Sequence, residues 1–594
     1  MKFFFFRVQT EKFSLKALEK SGFAIRKLVV VGQRSAFGKQ LYQFQVSDFR
    51  KDEVNLASFG ITNGDIVAVS IQLETCSKLS GVVLKLTRTS LEVAFDPNDK
   101  NLSIFDQAEN FNLIKIANDV TFRRLKTACD NLHKSSYKTF LVGLLFGTEA
   151  FQQPLRSLAQ YSFPQIAGSV SEEKGIVWFN DQLNFSQKEA IDFALHQKHL
   201  AIIHGPPGTG KTTTLTEIIL QLVTRGEKVY VFAPSNVAVD NIFKQLINST
   251  QNLCTKFKLK KLFNFVRLGH PARVDAQLQG YSLDQIVLNS DDNVVADLRD
   301  EINQIVSGKL KRVPRGELRE LRQQVYVYEK KAYKQSLKDA NVIFGTVTSA
   351  VLNGQLKYML DSKESANDFL FDTVIIDEAA QALEIACWIP LSNARKCILA
   401  GDHKQLPATI ISNDAANGGL SVSLIERLVH DLFSDCQDKV VRMLTVQYRM
   451  NHFIMDWPSE FFYNQKLIAD SSVSERRLST VVKNEKQKLI VNEEFPVIRL
   501  IDTVGCDMYE LELEDSLSKG NKYEADIVCL YVQQLLDAEI EPCEIGENSH
   551  LKKFLFCFIL FYYSFLKIFF FFLFILFLFH FSQVLFLLIV CRLA

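Results

Sequence analysis

None of the eleven cysteines is paired in a C-x-x-C spacing. That argues against a zinc module, and their scatter argues against a disulfide framework; reduced thiols in the cytosol or nucleus fit better. An excess of charge of one sign is also missing: 68 Lys and Arg face 67 Asp and Glu, a formal net charge of +1. No global basic field advertises a polyanionic partner, so any such site has to be a local patch. The opening MKFFFFR is too short for the apolar core of a secretory leader, and no internal repeat is visible. What is present is ample: 594 residues, 47% hydrophobic and 23% charged, a globular composition with length for roughly four domains of ~150 residues.

Phenylalanine is abundant, 48 residues, and crowds the end of the chain from Phe554 onward. No formally charged residue occurs between Lys567 and Arg592, and a helix over 568–591 at ~1.5 Å per residue would cross a ~30 Å hydrocarbon core. His580, Ser582 and Gln583 interrupt that reading. The alternative, which is favoured, is compositional: Phe, Leu, Ile, Tyr, Cys and Ser have thymine-rich codons, and translation through a pyrimidine-rich non-coding stretch writes such a tail.

The body changes character along its length. Residues 11–22 read as a short helix closed by Gly22, and residues 24–96 as short alternating β-branched runs between turn signals, a small antiparallel barrel or sandwich. Helical periodicity returns at 117–146, and the segment after Phe151 has the look of a linker. From about 181, short continuous apolar runs (HLAIIH, KVYVFA, NVIFGTV, DTVIIDE, KCILAG) alternate with helices. Continuous rather than alternating hydrophobicity means burial on both faces, hence a parallel sheet covered by helices. Charged residues at 280–340, broken by Pro314 and Gly316, predict two inserted helices. VIRLIDT (497–503) and the helix EADIVCLYVQQLLDA after it suggest a second α/β unit.

Gly205-Pro206-Pro207-Gly208-Thr209-Gly210-Lys211-Thr212 is a complete G-x-x-x-x-G-K-[ST] phosphate loop between a buried strand and a helix. Its glycines let backbone N–H groups curl round phosphate oxygens, and the helix adds its positive end. Lys211 is then expected on the β- and γ-phosphates and Thr212 on Mg²⁺, with Gly205 through Thr213 as the nucleotide-binding candidates. Asp377 and Glu378 end the strand TVIIDE, at the sheet edge where ligands bind. Asp377 suits Mg²⁺ and Glu378 the polarisation of an attacking water; a capping pair at a helix start is the other reading. Gln405, in GDHKQLP after KCILA, has an amide for the γ-phosphate and the water, or sits in an ordinary polar turn. In QYRM, Tyr448 offers a face for a base and Arg449 a cation for phosphoryl charge; aromatic–Arg pairs are also common on surfaces. Lys256, Lys258, Lys260 and Lys261, interleaved with Phe257 and Phe263, read as a solvated face in preference to a nucleic-acid track.

In this order, GPPGTGKTTT, APSNVAVDN, IIDEAAQALE, AGDHKQLPAT and VQYRMN resemble a superfamily 1 nucleic-acid helicase of the Upf-like group, nearest to the immunoglobulin mu-binding-protein helicases. RVQTEKFSLKAL, RLGHPAR and CWIPLSNARKCILAGDHKQLP extend the likeness over roughly residues 10–546. The resemblance implies an α/β fold with P-loop RecA-like parallel sheets carrying helices on both faces. It also implies a small β-barrel on a helical stalk at 1–150, a linker at 151–180, a first lobe at 181–440 with a helical insertion about 255–340, and a partial second lobe at 441–550. The hydrophobic tail at 551–594 falls outside the pattern. ATP and Mg²⁺ are the implied cofactors, and single-stranded or duplex DNA or RNA, held through its backbone, the implied partner. The likeness assigns Gln187 to the adenine, Arg449 to an arginine finger, Tyr448 to base stacking, and Pro234, Ser235, Asn236 and Thr346 to the strand. Ser235-Asn236 also fits a helix N-cap. Cytoplasm or nucleus is the expected compartment, and a membrane only if the 568–591 segment is a genuine span. After Gly546 the family pattern breaks off, so the second lobe is expected to lack its later motifs and the chain to bind ATP but translocate poorly. A catalytically weak, possibly membrane-anchored ATP- and nucleic-acid-binding regulator is the competing expectation.

Overall fold

The computed structural model describes residues 14–36, 39–46, 55–71, 79–96, 99–106, 110–116, 120–134, 140–147, 176–257, 263–289, 297–298, 301, 304, 315–352, 354–359, 371–410, 412–480, 495–499, 501–503, 505–509, 511–512, 519–538, 540 and 545. Residues 151–175 of the linker expected at 151–180, the basic residues Lys258, Lys260 and Lys261, and the whole tail from 551 lie outside them, as does the 568–591 span. No helix of the described residues is long and apolar enough to cross a membrane. The chain divides into two units, residues 1–206 with 210–444, and residues 207–209 with 445–594.

The first unit begins with a short helix α1 (Leu15–Lys20), capped by the Ser14 hydroxyl and followed by Gly22 at φ +78°. Six antiparallel strands then close a barrel in the order β1-β2-β5-β4-β3-β6. They are β1 (Ala24–Ala36), β2 (Lys39–Val46), β3 (Ile66–Ser70), β4 (Ser80–Leu86), β5 (Ser90–Phe95) and β6 (Phe111–Lys115). Register shifts at Val30/Gly32 and Ile25/Leu28 in β1 supply the local bends that closure requires. The barrel's interior is its own core, with Phe44, Phe95 and Phe111 packed around Tyr42 and Phe105. Two helices follow, α2 (Val120–Lys134) and α3 (Phe140–Phe146).

Seven parallel strands form the sheet of this unit, in the order β13-β7-β12-β11-β8-β10-β9. In sequence they are β7 (Leu200–His204), β8 (Val229–Ala233), β9 (Phe265–Arg267), β10 (Val342–Thr346), β11 (Phe371–Ile376), β12 (Ala394–Gly401) and β13 (Val441–Met443). Successive side chains of a strand point to opposite faces, and the continuous apolar runs serve two cores at once. Leu200, Ile202, Tyr230, Phe232, Ile343, Val374, Ile376, Cys397 and Leu399 fill one; Ala201, Ile203, Val231, Phe344, Ile375 and Ile398 fill the other. Covering helices include α4 (Phe185–His196), α5 (Lys211–Thr224), α6 (Asn236–Phe257), α7 (Leu283–Leu288), α8 (Arg315–Asp339) and α9 (Glu384–Leu391). Within 255–340 the chain is not all helical, because β9 lies there as the edge strand of the sheet.

Helix α3 is tied to α9 by Phe146 stacked on Trp388 (centroids 4.4 Å apart) and by Arg427, which pairs with Glu384 at 2.7 Å and donates to the Leu145 carbonyl. Arg124 of α2 donates to the Thr348 carbonyl at 2.9 Å, and Arg273 reaches the barrel, donating to the Gly64 carbonyl at 2.6 Å. In the inserted helices, Tyr333 of α8 donates to Asp284 of α7 at 2.9 Å.

In the second unit, β14 (Val446–Gln447) pairs in parallel with β15 (Ile468–Ala469), and β16 (Leu511–Glu512) pairs antiparallel with β17 (Lys519–Gly520). Helices α10 (His452–Phe462) and α11 (Lys522–Asp537) flank them in sequence; Tyr531 and Leu535 of α11 pack with Phe495 and Ile540. The strand expected at 497–503 is not formed by its described residues. Ile498 is 46% exposed, whereas a strand inside a covered parallel sheet buries its apolar side chains on both faces.

Candidate nucleotide site and strand-facing loops

Strand β7 pairs with β12 in a register that sets His204 opposite Gly401, and Ile376 of β11 lies opposite Leu399 of β12. The residues that follow, Gly205, Asp377 and Asp402, are thereby delivered to one edge of the sheet. Gly210 caps α5 at φ +76°, a left-handed conformation that costs most side chains about 1–2 kcal/mol. A Cβ there would stand 2.4 Å from Gln187 Nε2, and one on Gly205 would stand 2.9 Å from the Lys211 side chain. The loop therefore favours glycine at both positions for space, and at Gly210 for torsion as well.

Lys211, the first residue of α5, reaches back to the ends of the strands. Its ammonium bonds to Glu378 Oε1 and lies 3.4 Å from Asp377 Oδ1. Burial opposes the Lys211 charge, but the two carboxylates outweigh it and hold the ammonium above its ordinary value. Burial pushes the Asp377 carboxyl up, against the pull of Lys211. Glu378 stands at φ +50° with its amide donating to Asp377 Oδ1, and Gln381 donates to its other oxygen at 3.3 Å. A non-glycine residue held left-handed beside an ion pair is stored strain of the kind that gathers at functional sites. Two carboxylate oxygens already grip one cation, the lysine ammonium, so the donor set suits a divalent ion beside a phosphate.

Gln187 is buried at the third position of α4. Its side-chain oxygen accepts from the Asn184 amide while Asn184 accepts from the Gln187 amide, a reciprocal cap that fixes the side chain next to Gly210. Thr213 accepts from Gln245 of α6 at 2.9 Å. Pro206 and Thr209 are buried. Within the second unit, the Tyr448 amide donates to the Gly208 carbonyl of the loop tip Pro207–Thr209 at 2.8 Å. There the Gln447 side chain is fully buried, accepting from the Arg449 and Met450 amides, so the exposed Tyr448 and Arg449 are carried on a braced turn.

Gln405 is exposed, and its amide donates to Asp402 Oδ2 at 2.7 Å, while Asp402 Oδ1 meets His204 Nε2 at 2.9 Å. Burial, with the neighbouring His204 and Lys404 charges, pulls His403 down to about 4. At the carboxyl ends of β8 and β10 lie Pro234, Ser235, Asn236 and Thr346. Ser235 Oγ accepts from the Ala238 amide, which makes it the cap of α6, and Thr346 Oγ1 lies 3.4 Å from Thr348 Oγ1. The Asn236 side-chain oxygen is engaged by Arg267, a wholly buried residue whose guanidinium also pairs with Asp240 at 2.9 Å. Sequence reasoning missed His204, Asp402, Asp240 and Arg267. All four stand inside stretches it quoted, but their pairing joins residues far apart in sequence and has no local signal.

Residues 182–413 and 420–551 each match a family described as an AAA domain, and residues 6–116 match the helicase SMUBP-2/HCS1 1B domain. The chain is 41% identical over 551 residues to DNA-binding protein SMUBP-2 of Mus musculus, covering 90% of this chain and 51% of that protein. With the DNA polymerase alpha-associated DNA helicase A of Schizosaccharomyces pombe it shares 31% over 566 residues, 90% of this chain and 77% of that one. A protein of Methanocaldococcus jannaschii described as an uncharacterized ATP-dependent helicase is 32% identical over 518 residues, 81% of this chain and 71% of its own length. The chain spans about half the length of the SMUBP-2 relatives it matches.

Proposed function

The chain belongs to the superfamily 1, Upf-like helicases of the SMUBP-2/HCS1 type, and from that premise we propose that it hydrolyses ATP to move along and unwind nucleic acid. The observation that carries this reading is the Lys211 ammonium held by Asp377 and Glu378 at the carboxyl edge of the parallel sheet. A basic group beside two acids suits a site that takes a triphosphate and a cation in place of the internal ion pair. Gln187 would mark the adenine end, the N–H groups from Gly205 to Thr213 would cradle the phosphates, and Thr212 and Asp377 would hold Mg²⁺. When bound, Mg²⁺ supplies charge neutralisation for the phosphate oxygens. Glu378, freed from Lys211, orients and deprotonates the attacking water, Lys211 neutralises charge on the phosphoryl oxygens, and Gln405 positions the water. For the exposed Tyr448 and Arg449 we propose base stacking and stabilisation of phosphoryl charge, the roles the resemblance implies.

The hydroxyl and amide groups of Ser235, Asn236 and Thr346, with the backbone around Pro234, suit strand phosphates and carry no base code. Both DNA and RNA are thus acceptable substrates on chemical grounds, with 5′ to 3′ movement implied by the family likeness. Buried free thiols such as Cys387 and Cys397 suit a reducing compartment, the cytoplasm or nucleus.

The test is ATP hydrolysis with and without single-stranded DNA and RNA. The expected outcome is stimulation by a strand, with Glu378→Gln lowering the stimulated rate ~10²–10⁴-fold while nucleotide binding persists. Hydrolysis indifferent to both strands would overturn the helicase reading.

A further inference from the structure

The carboxyl ends of the neighbouring strands β7 and β12 carry a cluster that the nucleotide chemistry does not use. His204, Asp402 and His403 bring three potential ligand atoms within 4.8 Å of one another. His204 Nε2 lies 2.9 Å from Asp402 Oδ1, and the two imidazole rings stand 4.8 Å apart between centroids. Nδ1 of His403 is buried with no hydrogen-bond partner. Buried polar atoms without partners are rare and call for a reason, a bound water or ion being one. Asp402 Oδ2 accepts from Gln405 at 2.7 Å and Oδ1 accepts from the Lys404 amide at 3.0 Å, so its own turn holds the carboxylate in place with Oδ1 beside His204 Nε2.

We infer that His204, Asp402 and His403 form a binding site for a divalent transition-metal ion of the Zn²⁺ class, made of different residues from those proposed for Mg²⁺. Two imidazole nitrogens and one carboxylate oxygen are the donor set of such ions, whereas Mg²⁺ takes oxygen ligands almost exclusively. The ion sits between His204 Nε2 and Asp402 Oδ1, and a proton on Nε2 moves to Nδ1 of the same ring to make room for it. His204 then carries its proton on Nδ1, and His403 its proton on Nε2, so both imidazoles stay neutral and no other charge has to move. Three protein ligands leave a position open to water. His430, edge-on to His403 with ring centroids 5.0 Å apart, adds a further imidazole beside the cluster. An ion here ties β7, which leads into the phosphate loop, to the turn after β12 that carries Gln405. It acts as a regulatory clamp on the two segments, and the inference stands independently of whether the chain unwinds nucleic acid.

The experiment uses the full chain, freed of metal with a chelator and held in Mg²⁺ buffer without nucleotide. It is titrated with Zn²⁺ by calorimetry and with Co²⁺ by visible absorption. One saturable equivalent, Co²⁺ ligand-field bands and a rise in melting temperature with Zn²⁺ are expected. His403→Asn and His204→Gln, each verified by circular dichroism and melting without metal, are expected to weaken Zn²⁺ binding at least about tenfold and to abolish the bands and the thermal shift. Absence of saturable binding in the parent chain, or equal binding by either folded variant, overturns the inference.

Discussion

Gly210 shows how narrowly one position is constrained. Its φ of +76° excludes most side chains on torsional grounds, and the 2.4 Å approach of a Cβ to Gln187 Nε2 excludes them on space. Gly210→Ala therefore has to shift either the start of α5 or the Gln187 side chain. The protein is expected to fold, with a strain of about 1–2 kcal/mol, while nucleotide affinity measured with a fluorescent ATP analogue falls about tenfold or more. An alanine variant that binds like the parent would show that Gln187 and the loop do not need their present spacing. At this scale much of the candidate site was legible in the sequence, because a phosphate loop and an acidic pair are local patterns with local causes. The contact between His204 and Asp402 was not, since residues 198 positions apart meet only through the pairing of β7 with β12.

Two buried cations show what an element does with charges that a sequence pattern cannot place. Arg267, on the edge strand β9, is fully buried and divides its guanidinium among Asp240, the Asn236 oxygen and the Leu268 carbonyl. Burial lowers its pKa, and Asp240 opposes the shift. Arg267→Met strands Asp240 and frees Asn236, and is expected to cost about 3–5 kcal/mol in unfolding experiments. Adding Asp240→Leu is expected to recover part of that loss, a non-additivity that a double-mutant cycle measures. Lys396 on β12 is the opposite case, a 7% exposed lysine whose ammonium has one long contact, to the Leu195 carbonyl at 3.4 Å. Burial lowers it to about 8, with Glu227 pulling the other way. Its folded pKa lies below the unfolded value, so the folded state gives up the proton first, and stability attributable to this group rises with pH between about 8 and 10.5. Lys396→Met is therefore expected to raise the melting temperature at pH 7, by up to about 3 kcal/mol in free energy, with the gain shrinking above pH 8. A variant less stable than the parent at pH 7 would mean that the contacts of the aliphatic stem outweigh the cost of the charge. Neither role is visible in RLGHPAR or NARKCILA. The alternation that marks a strand says nothing of which partner, tens of residues away, meets its charged member.

Over the first unit as a whole, the order of elements was readable and their closure was not. Continuous apolar runs separated by helices specify a parallel sheet, and the two cores divide those runs residue by residue. From the residues alone the short strands at the start left a barrel and a sandwich open, because both have the same alternation, and only the family resemblance pointed to a barrel; the pairing of β1 with β6 closes it. That closure has a consequence. Among the described residues, the apolar interior of the barrel is drawn wholly from those between Ile25 and Leu113, with the partly buried Val30, Phe59, Ile71, Leu86, Leu102, Ile104 and Phe105 around it. A closed sheet has no edge to be completed by a neighbour. Residues 14–116 expressed alone are therefore expected to fold cooperatively, with antiparallel β circular dichroism and a stability of about 5 kcal/mol, the low end for a domain of this size. In the full chain, Arg273 reaches across to the Gly64 carbonyl, and Arg273→Met is expected to raise amide exchange around Gly64 without unfolding the barrel. If the isolated segment stays unfolded, or if Arg273→Met unfolds the barrel strands in the full chain, its core depends on contacts with the nucleotide lobe, and the barrel is an extension of that lobe instead of a separate fold.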